Sequence, residues 1–232
     1  MNVYAISDLH LSSGDDKPMD IFGAVWADYW QHICADWDTK VKDDDIVLIP
    51  GDISWAMKLD GALLDMQMID ALKGIKVITR GNHDYWWESI SKLRAKLPPT
   101  IKSIQNDAIR IGDFVICGTR GWTVPEAGLK STPEDIKLYE REKIRLDMSL
   151  KAADGIRQEG DRLIVMMHFP PFNSRLEDSD FTRLIDAHKA DAVVYGHLHG
   201  TASRAVLKTE KRGIPYYLTS CDLVGNKLVQ IF

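Results

Sequence analysis

Cysteine is scarce in this chain, and no two of Cys34, Cys117 and Cys221 form a CxxC pair. An odd number at wide spacing argues against a disulfide framework or a thiolate metal site and predicts buried or half-buried free thiols in a reducing compartment. Long apolar runs are missing as well. Leu163–Met167, the longest run near the middle, has the length of a strand and not of a membrane span. Met1 leads directly into a strand pattern ending at Asp8, with no basic region ahead of an apolar stretch, so a cytoplasmic protein without membrane association is expected. Positive charge is not in excess either. Against 29 Lys and Arg stand 34 Asp and Glu, a net charge of −5, which argues against nucleic acid or an anionic membrane as a general partner. No repeat and no Pro-, Gly- or Ser-rich linker divides the sequence, so residues 1–232 are expected to form one domain with a substantial core.

The patterns that are present alternate between strand and helix. Val3–Ser7, Ile46–Pro50, Lys76–Thr79, Leu163–Met167 and Ala192–Tyr195 read as buried strands. Apolar residues at three- and four-residue steps predict a helix over residues 20–38 (Ile21, Phe22, Val25, Trp26, Tyr29, Trp30, Ile33, Trp37) and another over Leu59–Leu72. A third is expected after Asp84, a fourth from Pro133 to about Ala153, and a fifth over Phe181–His188. Ile109–Gly118, broken at Gly112-Asp113, reads as a hairpin. Ala202–Lys208, Ile214–Thr219 and Lys227–Phe232 read as a closing meander. Parallel β-α-β units followed by antiparallel additions predict an α/β protein with a mixed sheet or two sheets flanked by helices.

Each of the five strands is followed by residues able to hold a metal: Asp8 and His10, Asp52, Asn82-His83-Asp84, His168, and His197 with His199. Ligand-bearing residues at the C-terminal ends of strands lie where open α/β sheets form their binding crevice. Residues two apart on an extended segment point the same way, so Asp8 and His10 can share one ion. A carboxylate can bridge two ions through its two oxygens, and Asp52 is placed to do so. Asn82 offers an amide oxygen; His168 and His197 offer imidazoles. Gly51, Gly81 and Gly196 are expected to let the backbone turn where the strands end. The set of N and O donors without thiolate suits two divalent metal ions, with Mn²⁺ first and Fe or Zn²⁺ as alternatives.

The series D-x-H, G-D, G-N-H-D, H, G-H-x-H, running from Asp8 to His199, resembles the calcineurin-like metallophosphoesterase superfamily. The resemblance implies a four-layer αββα sandwich of two mixed β-sheets flanked by helices. It implies that Asp8, His10 and His199 bind one metal, that Asn82, His168 and His197 bind the other, and that Asp52 bridges them. His83 would be a general acid or phosphate contact, its ring held by Asp84. The implied activity is hydrolysis of a phosphomonoester or phosphodiester by a metal-bridging hydroxide, with a small phosphate ester as substrate. A non-catalytic metal-binding scaffold on the same fold is the alternative, which the intact ligand set disfavours. Two positions depart from common family patterns. Trp55 stands where many members carry a second aspartate. Arg80 precedes G-N-H-D, as in the serine/threonine phosphatase branch, and is either a bidentate phosphate contact or a salt-bridging residue.

Residues 118–132 form a long irregular stretch, either a lid or a solvated connector, in which Arg120 is a candidate second phosphate contact. Of the aromatics near the strand ends, Trp55, Tyr85, Phe169 and Phe172 read mainly as packing, while Trp86 and Trp122 are the candidates for a pocket wall. His32 and His188, on expected helices outside the motifs, read as structural. The basic run with Arg204, Lys208, Lys211 and Arg212 reads as a solvated hairpin face. No feature of the sequence indicates an oligomeric state.

Overall fold

Alternation along the strands builds two apolar faces at once, because successive side chains on a strand point to opposite sides. In β2 (Ile46–Pro50), Ile46 and Leu48 belong to one buried cluster, and Val47 and Ile49 to another. In β7 (Arg162–Met167), Ile164 and Met166 face that same first cluster, whereas Leu163, Val165 and Met167 face a third. Strands buried on both faces require layers on both sides. A computed structural model, describing residues 1–14, 17–200 and 205–232, has this arrangement.

The first sheet contains β1 (Val3–Ala5), β2, β3 (Ile75–Thr79), β4 (Ile101–Ser103) and β11 (Val229–Gln230), in the order β11-β1-β2-β3-β4. The second contains β5 (Ala108–Ile111), β6 (Phe114–Thr119), β7, β8 (Ala192–Tyr195), β9 (Lys208–Lys211) and β10 (Ile214–Leu218), in the order β5-β6-β7-β8-β10-β9. Helices α1 (Tyr29–Lys40), α2 (Leu59–Asp70) and α3 (Ile90–Lys96) cover the outer face of the first sheet, and α4 (Pro133–Ile156) and α5 (Asp180–Ala187) that of the second. The result is the expected αββα sandwich. β1–β4 run parallel, as do β6, β7, β8 and β10, so their carboxyl ends collect along one edge. At that edge the sheets are joined: Ser7 N donates to Thr219 O at 2.8 Å, and Cys221 N to Ser7 O at 3.0 Å.

The long helix α4 starts as its sequence requires. Pro133 occupies the first turn, and Thr132 and Asp135 form a reciprocal capping box. The hairpin also forms, with β5 antiparallel to β6.

Two expectations are corrected. The stretch 20–38 is not one helix: two 3₁₀ turns, Asp20–Phe22 and Ala24–Trp26, precede α1. Gly23 at φ 125° and Asp28 at φ 49° interrupt the ladder, leaving Ile21 and Phe22 exposed. Periodicity continued across a segment whose backbone does not. The tail is not a meander either. β10 pairs parallel with β8 and antiparallel with β9, while β11 crosses to the other sheet beside β1. The strand expected at Ala202–Lys208 lies partly outside the described residues, and pairing begins only at Lys208. Among the described residues, no helix is long and apolar enough to cross a membrane.

Candidate metal centre

Seven side chains from five strand ends meet at the shared edge. Asp8 and His10 follow β1, Asp52 follows β2, Asn82 follows β3, His168 follows β7, and His197 and His199 follow β8. Among the described residues ten non-glycine positions have positive φ, and four of them are ligand candidates: Asp8, His10, Asp52 and His197. Backbone held in this region costs about 1–3 kcal/mol per residue and persists where the surroundings enforce it, typically at functional sites.

The enforcing contacts are specific. Asp84, fully buried, accepts from the backbone N–H of Gly81 at 2.7 Å, Asp52 at 2.9 Å, Ile53 at 2.9 Å and Ser54 at 3.3 Å, and from Trp86 Nε1 at 3.0 Å. Its oxygens thus tie the Asp52 loop to the Asn82 loop. They are engaged there and not with the His83 ring, which corrects the orienting role expected for Asp84. Glycine is required at two positions for lack of space. A Cβ on Gly81 would lie 2.1 Å from Asp52 Oδ1, and one on Gly196 2.3 Å from Asp8 Oδ2. Only Gly51 of the three expected turn glycines takes a positive φ, 90°.

Two groups of potential ligands lie with their donor atoms within 4.8 Å of one another: Asp8, His10 and His199, and Asp8, Asp52 and His168. His199 Nε2 lies 3.1 Å from Asp8 Oδ1 and 3.3 Å from His10 Nε2. Asp52 Oδ2 stands between His168 Nε2 at 3.3 Å and His10 Nε2 at 3.9 Å. Asn82 Oδ1 lies 2.7 Å from His168 Nε2 and 2.9 Å from His197 Nδ1. The two groups are therefore joined through Asp8 and Asp52.

These residues fit a pair of cations. His168 Nδ1 lies 3.0 Å from the carbonyl of Pro50, which can only accept, so Nδ1 carries a proton and the neutral ring would present its lone pair at Nε2. That lone pair faces two oxygens, Asn82 Oδ1 and Asp52 Oδ2. His199 Nδ1 lies 2.9 Å from Asp222 Oδ1, so that on loss of its other proton the ring would present its Nε2 lone pair toward Asp8 and His10. Acceptor atoms converging on one another call for positive charge between them, which protons on His168 and His199 supply in the metal-free protein and divalent cations could supply in their place, since N/O donors with oriented imidazoles are the chemistry of such metals. Asp222, which follows β10, is absent from every motif read from the sequence.

Titration follows the same logic. Burial pushes His10 down to about 4 against the pull of Asp8 and Asp52, and burial with His168 nearby does the same to His197. Burial also opposes the charge on His199, but Asp222 and Asp8 overcome it and raise its pKa to about 10. Burial raises Asp8 and Asp52, yet the surrounding imidazoles hold both below the ordinary carboxylate range. Burial and the neighbouring Asp52 push Asp84 up to about 6.

His83 lies at the rim, half-buried, its ring 4.6 Å from Trp55 and 5.7 Å from His10. Trp55 itself stacks on His10 at 4.7 Å, so the position where an aspartate is common here packs against a candidate ligand. Phe169 stacks on His197 at 4.0 Å. Trp86 is 1% exposed and packs in the core, which removes it as a pocket wall. Arg80 and Arg120 are brought together, but in a cavity lined by none of the seven ligand candidates. Burial lowers Arg120, Glu142 opposes this, and Arg80, Arg141 and Arg145 add repulsion. His188 pairs with Asp154 at 2.7 Å, a structural use, and His32 is exposed on α1.

The family follows from comparison with known sequences. A model of the family described as calcineurin-like phosphoesterase matches residues 1–201. The chain belongs to this family. No curated protein matches it. Two solved structures share the fold across nearly the whole of both chains. One is TT1561 of Thermus thermophilus, with a TM-score of 0.59, 14% identity, and coverage of 99% of this chain and 97% of that one. The other is AQ665 of Aquifex aeolicus, described as a protein of unknown function, with a TM-score of 0.51, 14% identity, and coverage of 99% and 95%. As in other members of the calcineurin-like phosphoesterase family, metal-dependent hydrolysis of phosphoesters is the associated chemistry, and this chain has Asp/His groups able to hold metal.

Proposed function

We propose that this protein is a two-metal phosphoesterase, with Asp8, His10 and His199 on one ion, Asn82, His168 and His197 on the other, and Asp52 on both. The observation that carries this reading is the position of Asp52 Oδ2 between His10 Nε2 and His168 Nε2. A pair of divalent ions, Mn²⁺ first and Fe or Zn²⁺ as alternatives, lowers the pKa of water and neutralises charge on phosphoryl oxygens when bound. The chain's own residues do the rest. His83 at the rim donates a proton to the departing alkoxide. Asp84 acts as a positioning residue by fixing the loops that carry Asp52 and Asn82. Asp222 and the Pro50 carbonyl fix the tautomers of His199 and His168.

The organic part of the ester has a place beside the centre. A cavity of about 530 Å³ is lined by His197, Phe169, Phe172, Leu198 and Val124 among others, within the usual range for a small-molecule site, roughly 300–1,000 Å³. The stretch 118–132 contributes Thr123, Val124, Glu126, Leu129, Lys130 and Ser131 to its wall. It is anchored there by Glu126, which pairs with Ser174 at 2.7 Å and Arg175 at 3.2 Å. This supports a binding loop, and a small phosphate ester with an apolar group as substrate.

The test is hydrolysis of p-nitrophenyl phosphate and bis(p-nitrophenyl) phosphate with added Mn²⁺. Metal-dependent turnover of either supports the proposal, and their ratio separates monoesterase from diesterase. Silence on both, with metal bound, would favour the scaffold reading instead.

A further inference from the structure

Four arginines and one carboxylate line a cavity beside Thr119, the last residue of β6. Glu142, on α4, is fully buried. Its Oε2 accepts from Thr119 Oγ1 at 2.6 Å, and its Oε1 from Arg145 Nη1 at 2.7 Å and Arg141 Nη2 at 3.4 Å, with Arg120 Nη2 at 4.0 Å. Arg80 completes the ring around a cavity of about 140 Å³. Four guanidiniums against one carboxylate leave three formal positive charges (4 − 1) among the charged residues of the lining, in a chain whose net charge is −5.

Glu142 offsets only part of this positive charge. Nε of Arg80 and Nε of Arg120 are both buried without a hydrogen-bond partner among the described residues. A buried donor left unpaired costs about 1–3 kcal/mol, and more when charged. The Arg120 guanidinium lies 4.9 Å from the Trp122 ring centre, a cation–π contact that holds its plane in place. Planar forks with open N–H edges are built for bidentate oxyanions.

We infer that this cavity is a second anion site, which takes a phosphate-class oxyanion independently of the metal centre. At about 140 Å³, it falls well below the roughly 300 Å³ at which drug-sized ligand pockets begin, so it admits an oxyanion or a terminal phosphoryl group and not a nucleoside. It goes beyond the proposed hydrolysis, since binding here requires neither metal nor turnover. It also adjoins the centre through the backbone. The Arg120 carbonyl accepts from His168 N at 3.1 Å and Phe169 N at 2.9 Å, and Arg80 directly precedes Gly81-Asn82.

Titration calorimetry of the full chain with orthophosphate, and separately with glycerol 3-phosphate, decides the matter. The metal-free protein removes binding at the metal centre, and the Mn²⁺-loaded protein reports both sites. Metal-free wild type and Asp52→Asn are expected to bind at least one of the two anions equally well, with the stronger probe identifying free phosphate or a phosphorylated metabolite as the ligand. Arg141→Gln, at a half-exposed guanidinium whose only Glu142 contact is long, is expected to fold normally and bind about tenfold more weakly. Arg141→Gln with Arg145→Gln should lose binding altogether. No anion binding by metal-free wild type would overturn the inference, as would wild-type affinity in a folded Arg141→Gln protein.

Discussion

Asp222 Oδ1 lies 2.9 Å from His199 Nδ1, and its Oδ2 accepts from Gly200 N at 2.8 Å. The carboxylate thus fixes both the ring and the backbone beside it, and directs Nε2 at Asp8 and His10. Such partners typically contribute 10–100-fold to metal affinity. Asp222→Asn should therefore weaken Mn²⁺ binding by about that factor while leaving the circular dichroism spectrum unchanged. Calorimetry with Mn²⁺ checks this, and unaltered affinity would remove the positioning role.

Ligand and acid should separate cleanly in variants. Asp52→Asn and His197→Ala are expected to lose metal and activity together. His83→Ala should retain both ions and lose about 10²–10⁴ in rate, the usual contribution of a positioned proton donor. Metal content by plasma spectrometry, paired with turnover, makes the distinction. An active, metal-free Asp52→Asn protein would contradict the assignment.

The crowding at Gly81 yields a stability prediction. A Cβ there would sit 2.1 Å from Asp52 Oδ1 and 2.3 Å from Asp52 N, so Gly81→Ala should displace the central carboxylate and lower both Tm and metal content. Gly155 provides the control. It lies in α4 with nothing within 4 Å of a built Cβ, and Gly155→Ala should stabilise by about 0.5–1 kcal/mol through helix propensity. Thermal denaturation of the two variants tests the contrast.

The pH dependence of the metal-free protein has a defined shape. His199 is raised from 6.5 to about 10, after Asp222 and Asp8 overcome its burial, so its contribution is complete below pH 6.5 and is lost as pH rises through 10. His10 and His197 are lowered to about 4, chiefly by burial, so theirs is complete above 6.5 and is lost as pH falls through 4. Stability should peak near pH 6.5 and fall on both sides. Metal must displace the His199 proton, so Mn²⁺ binding at pH 7 should release protons and tighten as pH rises. Tm against pH, and calorimetry in buffers of different ionisation enthalpy, read these effects. Binding without proton release would contradict the His199 assignment.

That the seven candidate residues meet was legible because each follows a strand whose apolar run is unmistakable, and parallel strands bring their carboxyl ends to one edge. Asp222 follows β10 in the same way, but the tail read as a meander, so its strand end was not placed at that edge. A parallel β10 beside β8 depends on pairing between distant segments, which local alternation does not encode. The break at Gly23 and Asp28 was hidden by apolar residues on either side that kept helical spacing. The anion cavity was only half visible: Arg80 stood beside a motif and Arg120 in the candidate lid, whereas Arg141 and Arg145 lie on the fourth helix, where no motif marked them. Lys211 and Arg212, expected as a solvated basic face, are paired with Asp178 and Asp186, and Arg204 lies outside the described residues.

The most direct test of two metals joined by Asp52 is an anomalous-difference map from crystals grown with Mn²⁺. The account predicts two peaks about 3.5–4 Å apart, one beside His10 and His199, the other beside His168 and His197, with the Asp52 carboxylate between them. A single peak, or Mn²⁺ bound away from these side chains, would contradict it.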